Sequence, residues 1–255
     1  LIILTFYILL KDQDILNIVN IIKSVQIKYV LIGIMCMAIY LLCEAINIKR
    51  TLKSLNEKIS IIKCIKYALI GFFFSSITPA ASGGQPMQIY YMYKDKIEVS
   101  KSTLTLLINL ASMQVITIGF ALISLIFNQQ YLNKMLVIFF IIGILLNSTA
   151  LALLIIGIFS KKLSEWLINV ALKILKLCRV KNIEEKREVF ETQLKKYQNS
   201  AVYVKNNKIL LSKTLLTTSI QFLLFYSISY WIYRAFNLST AGIFEIITMQ
   251  SVLYA

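Results

Sequence analysis

Thr78-Pro79-Ala80-Ala81-Ser82-Gly83-Gly84-Gln85-Pro86 contains both prolines of the 255-residue chain and its one Gly-Gly pair. Tyr67–Ile77 before it is almost wholly apolar, and Met87–Tyr93 after it is apolar and tyrosine-rich. The residue preceding a proline is pushed out of the α region, so Thr78 should close an incoming helix. Gly83 and Gly84 permit positive φ and close backbone approach. Pro86 suits the first position of a new helix, where its missing N–H costs nothing. The stretch therefore predicts two short helices, 67–77 and 86–93, joined by a deliberate break.

The surrounding chain sets the medium in which that break must survive. Hydrophobic residues make up 58% of it and charged residues 15%, with a mean hydropathy of +0.73, against about half and about a quarter in soluble domains. The composition predicts an all-α, polytopic transmembrane bundle forming a single membrane domain over 1–255. Apolar runs fall at 29–47, 103–127, 135–159 and 215–236, each close to the roughly twenty residues a span needs. Partial runs at 1–10 and 242–255 read as a first helix lacking its start and a last one stopping mid-span. The first residue is Leu1, and the chain is expected to be a piece of a longer protein.

Net charge is +15, from 27 Lys and Arg against 12 Asp and Glu. If 67–93 is a re-entrant hairpin, twenty-two of those 27 cations gather on one side, in loops 48–66, 94–102 and 160–213. If 67–93 crossed the membrane, the two most basic loops would face opposite compartments, against the loop bias that orients membrane proteins. Each arm of 67–93 is also too short to span about 30 Å as a helix. The re-entrant threading follows, with the basic loops cytoplasmic.

Segment 160–213 reads as a cytoplasmic amphipathic helical hairpin. Leu163, Trp166, Leu167, Val170, Ala171, Ile174 and Leu175 form one apolar stripe. Ile183, Phe190, Leu194, Tyr197, Ala201 and Val204 form a narrower one, with Glu191 and Lys195 spaced as an i,i+4 pair. It reads first as a cover for the bundle, and second as a contact for anionic lipid or a protein partner.

Histidine is absent, which removes the commonest general base and metal ligand. Cys36, Cys43, Cys64 and Cys178 have no C-x-x-C spacing, so neither zinc nor a disulfide framework is expected. No cofactor, no catalytic residue and no nucleic-acid partner is expected either.

Broken backbone at membrane depth is tolerated where protein or a watery cavity covers it. The returning half-helix would aim its N-terminus inward, with roughly half a positive charge and several free N–H groups. That arrangement suits an anion, and transporters place half-helix ends in this way. Ser82, Gln85 and Thr78 could add side-chain hydrogen bonds; a tight packing turn without ligand is the alternative. Among other polar residues, Glu44 could snorkel towards Lys49 and Arg50 or face the interior. Glu245 sits just inside the last apolar run, where ionisable groups are functional by default. Asn109, Gln114, Asn147 and Gln221 read as interhelical hydrogen-bonding glue. Tyr90, Tyr91 and Tyr93 suit an aromatic belt.

Pro79-Ala80-Ala81-Ser82-Gly83-Gly84-Gln85-Pro86, followed by Tyr90-Tyr91-Met92, resembles the P-x-x-x-G-G-Q-P segment of the lysylphosphatidylglycerol synthase transmembrane, or flippase-like, family. That family includes the membrane domain of bacterial multiple-peptide-resistance proteins. The resemblance implies a multi-pass protein of the bacterial inner membrane that moves aminoacylated phosphatidylglycerol, or a related anionic phospholipid, between leaflets. It implies a substrate site around Thr78, Pro79, Ser82, Gly83, Gly84, Gln85 and Pro86, with Glu44 and Glu245 as further candidates. It also implies a second Pro/Gly segment beyond Ala255. Homo-oligomerisation stays open. The rival reading is phosphatidylglycerol lysyltransferase or its membrane part, with Glu44 or Glu245 as base; a membrane scaffold docking a soluble partner through 160–213 is a third.

Overall fold

Apolar runs become the longest helices. The computed structural model describes residues 22–127, 134–160, 162, 165–166, 169–170 and 183–254. The expected partial span 1–10, the turn at 128–133, most of the first cytoplasmic stripe and Ala255 lie outside them. In chain order the helices are α1 (Ile27–Ser54), α2 (Ile61–Ile77), a 3-10 turn (Pro79–Ala81), α3 (Gly84–Lys94) and α4 (Val99–Phe127). They continue with α5 (Lys134–Phe159), α6 (Ile183–Asn206), α7 (Lys208–Ala235) and α8 (Ile243–Tyr254). Among the described residues the fold is all-α, and Ile27–Ser54, Val99–Phe127, Val137–Phe159 and Lys208–Ala235 are long and apolar enough to cross a membrane.

α1 and α7 form an antiparallel pair. Asn47 Nδ2 donates to Thr218 Oγ1 at 3.0 Å, Cys36 meets the Ser227 hydroxyl at 3.8 Å, and Tyr29 stacks on Trp231 with centroids 6.1 Å apart. At one end the Gln26 N–H donates to the Ala235 carbonyl at 2.9 Å. At the other, Arg50 Nη1 donates to the Asn47 side chain and to the Lys213 carbonyl, both at 2.8 Å. α8 runs back along α7, with Ser229 Oγ donating to Gln250 Oε1 at 3.1 Å and Tyr254 packing on Phe225 at 5.5 Å. α5 exposes Ile138, Phe139, Leu145, Leu146 and Leu153. Such a surface would be costly in water and is ordinary against lipid tails.

Ion pairs tie one end of the bundle together: Lys101 to Glu57 at 2.7 Å, Lys196 to Glu98 at 3.0 Å and Lys63 to Asp95 at 3.4 Å. The segments around 55–60 and 95–101 and helix α6 therefore share that end. α6 buries Tyr197, Ala201 and Val204, the C-terminal half of the stripe expected of it, against Leu55, Leu104, Ile158 and Leu210, while Phe190 and Leu194 are only partly buried. Glu191 pairs with Arg187 at 3.0 Å, one turn before it, rather than with Lys195.

Candidate functional site

α2 and α3 pack antiparallel. Near their base the Tyr67 hydroxyl donates to Asp95 Oδ2 at 2.6 Å, and near their tip Gly84 abuts Ser75. Seventeen residues give α2 a length of about 25 Å, and eleven give α3 about 16 Å. The chain thus travels up one short helix and returns along the other to the ion-paired end.

The break follows the expected chemistry at Thr78 and departs from it at the glycines. Thr78 is extended (φ -110°, ψ 145°) and ends α2. Its Oγ1 donates to the Phe74 carbonyl at 2.6 Å and accepts from the Gly83 N–H at 2.9 Å. The positive φ expected of Gly83 or Gly84 belongs instead to Ala81, at 55°. The two glycines are required by space. A Cβ on Gly84 would lie 2.1 Å from Ser75 Oγ and 2.8 Å from the Gly71 carbonyl oxygen, and one on Gly83 would lie 2.6 Å from Thr78 Cγ2. α3 starts at Gly84, two residues before the expected Pro86, which lies in the first turn where no intrahelical N–H bond is required. Ser82 Oγ donates to the Pro79 carbonyl at 2.9 Å. With Gly83 capped by Thr78 and Pro86 lacking an N–H, the first-turn donors free of that cap are those of Gly84 and Gln85, beside the partly exposed Gln85 side chain.

Below the tip lies a contact that sequence reasoning missed. Gln88 is 3% exposed; its Nε2 donates to Glu44 Oε1 at 3.0 Å and to the Tyr67 carbonyl at 3.1 Å. The amide fits because residue 71 is glycine, where a Cβ would come within 2.3 Å of that nitrogen. Glu44 is thereby turned towards the hairpin rather than out to Lys49 and Arg50. Gln88 lies four residues after Gly84, on the same helix face, and that spacing was the available signal.

The interior beside Glu44 is polar and under-bonded. One turn earlier on α1, the ring of Tyr40 packs on Phe222 and Phe225 at 6.5 and 5.3 Å, with its hydroxyl near Gln221 and Glu44. Gln221 is fully buried with the Tyr40 hydroxyl as its polar neighbour across the α1–α7 seam, and Asn109 is buried with neither amide atom completing a hydrogen bond. Asn109 therefore does not act as the hydrogen-bonding glue expected of it, whereas Gln221 meets Tyr40 of the neighbouring helix. Asn147 Nδ2 donates to the Gly143 carbonyl of its own helix at 3.1 Å. Unpaired amides in a dry interior each cost about 1–3 kcal/mol, so they are expected where something else satisfies them.

Glu245 is placed elsewhere. It lies in the first turn of α8, accepting from the Gly242 N–H at 3.4 Å. The neighbouring Phe244 packs on Phe127 at the end of α4 far from Val99. The fold does not bring Glu245 to Glu44. At the hairpin base the Tyr67 hydrogen bond, helped by Lys63 and Lys66, holds the Asp95 carboxyl below the usual carboxylate range.

Residues 1–254 match the family model described as "Lysylphosphatidylglycerol synthase TM region", and the chain belongs to that family. No curated protein and no solved structure matches it. Membership and the four spanning-length helices together make this a multi-pass membrane protein of lysylphosphatidylglycerol synthesis or transport.

Proposed function

We propose that this member of the lysylphosphatidylglycerol synthase membrane family moves a phospholipid, aminoacylated phosphatidylglycerol or an anionic relative, between the leaflets of a bacterial cell membrane. The observation that carries the reading is the broken α2–α3 hairpin, hydrogen-bonded through Gln88 to the membrane-embedded Glu44. In this reading the hairpin enters and leaves on the cytoplasmic face, together with loops 48–66, 94–102 and 160–213. The lipid headgroup passes through a polar interior between the hairpin and α7 while its acyl chains remain in lipid.

Each group has a distinct task. The Gly84 and Gln85 N–H groups, at the positive end of α3, receive the phosphate. Glu44 receives an ammonium or a donor of the headgroup, and Asn109 exchanges its unmet hydrogen bonds for headgroup oxygens. Such contacts offset desolvation without fixing the lipid tightly, which transport requires. Glu245, at another level, would serve entry or exit at the opposite face.

In vesicles containing the purified protein and fluorescent phosphatidylglycerol, Gln85→Ala and Glu44→Gln should abolish exchange between leaflets while the protein stays folded in the membrane. Exchange at the parent's rate in both variants would refute the proposal. The family description also names a synthase, which keeps lysyl transfer as a second reading. Formation of lysylphosphatidylglycerol by the reconstituted chain supplied with charged tRNA would establish it.

A further inference from the structure

The outer face of the hairpin, opposite the side of α2 that packs on α1, carries an open groove of about 530 Å3. Its walls are Ile62, Leu69, Phe73 and Phe74, with Lys66 and Tyr91 on its rim. Ile62, Leu69 and Phe73 are 75%, 49% and 57% exposed. From Lys66 to Phe74 the groove rises about 12 Å along α2, close to the half of the roughly 30 Å hydrocarbon core that one leaflet occupies.

Two ammonium groups converge on the rim. Lys66 Nζ lies 5.4 Å and Lys94 Nζ 5.6 Å from the same Tyr91 ring centroid, and Lys94 is also 4.7 Å from that of Tyr90. The nearby carboxylate, Asp95, has one oxygen on Lys63 at 3.4 Å and the other on Tyr67 at 2.6 Å. Two like charges around one aromatic ring leave excess positive potential where the apolar groove begins.

We propose that this groove docks an anionic phospholipid from the adjoining leaflet, its phosphate between Lys66 and Lys94 and one acyl chain along Leu69, Phe73 and Phe74. A zwitterionic lipid would fill the groove without neutralising the lysines, because its own ammonium would face theirs. A second copy of the chain would bring four lysines together. The site does not depend on translocation, since a protein that moves no lipid would still hold one here.

The full chain carrying Leu69→Trp, in vesicles of phosphatidylcholine with a minor fraction of brominated lipid, tests it by fluorescence quenching corrected for the native tryptophans. Brominated phosphatidylglycerol should quench several times more than brominated phosphatidylcholine at equal content. Each lysine should contribute roughly a fivefold preference, as for a basic residue at an anionic surface. Lys66→Gln with Lys94→Gln should remove the preference, and Lys66→Arg with Lys94→Arg should keep it. Equal quenching by the two lipids, or a preference surviving the glutamine pair, would overturn the proposal. So would failure of both to quench together with a disulfide between two copies of a Leu69→Cys chain.

Discussion

Gly84→Ala should force α2 and α3 apart. The added methyl would stand 2.1 Å from Ser75 Oγ and 2.8 Å from the Gly71 carbonyl oxygen. The hydroxyl can rotate away, giving up a long 3.4 Å hydrogen bond to the Ala81 carbonyl. The Gly71 carbonyl belongs to the α2 backbone and moves only if the helix moves. Overpacking of this kind costs about 1–3 kcal/mol. Gly119→Ala in α4 is the control: nothing lies within 4 Å of its added carbon, and exchanging a mid-helix glycine should stabilise by roughly 0.5–1 kcal/mol. Thermal unfolding of the detergent-purified proteins should therefore move in opposite directions, down for Gly84→Ala and up for Gly119→Ala. Ser75→Ala combined with Gly84→Ala should recover part of the loss, because the hydroxyl overlap goes and the carbonyl overlap stays. An unfolding temperature for Gly84→Ala at or above that of the parent, with no coupling to position 75, would refute the close-packed hairpin.

Gln88→Leu strips a partner from Glu44 and should destabilise by about 1–3 kcal/mol, the cost of leaving a buried polar group without its partner. Adding Glu44→Leu should return much of that, read as a coupling energy between the two sites. Acid should weaken the hairpin base through Asp95. Its folded-state value is depressed, so its contribution is complete above the ordinary aspartate value of about 3.9 and is lost as pH falls through the lower folded value. Unfolding temperatures measured from neutral pH downwards should fall less below about pH 4 in Asp95→Asn than in the parent.

The hairpin and the polar site differ in how much of them the chain announces. The stop at Thr78 was legible because proline acts on its immediate neighbour, and the long apolar helices because composition alone decides them. The role of the glycines was not legible. Reading Gly83 and Gly84 as positive-φ residues was reasonable locally, yet Ala81 takes that conformation and the glycines answer to Ser75, Gly71 and Thr78. Gln88 escaped notice because it sits amid apolar residues and finds its partner, Glu44, forty-four positions away.

The sequence by itself determined the medium, the helical class, the place where the backbone breaks and, through Pro79–Pro86, the family. Each follows from short-range physics: hydropathy over a span's length, and proline acting on adjacent residues. Tertiary structure alone decided that the hairpin closes with Gly84 against Gly71. It also decided that Glu44 faces the hairpin while Glu245 does not, and that Asn109 stays buried without hydrogen bonds. The reason is physical. A break in a chain fixes where a helix stops, but which surfaces then touch depends on side-chain volume and unmet hydrogen bonds across segments far apart in sequence.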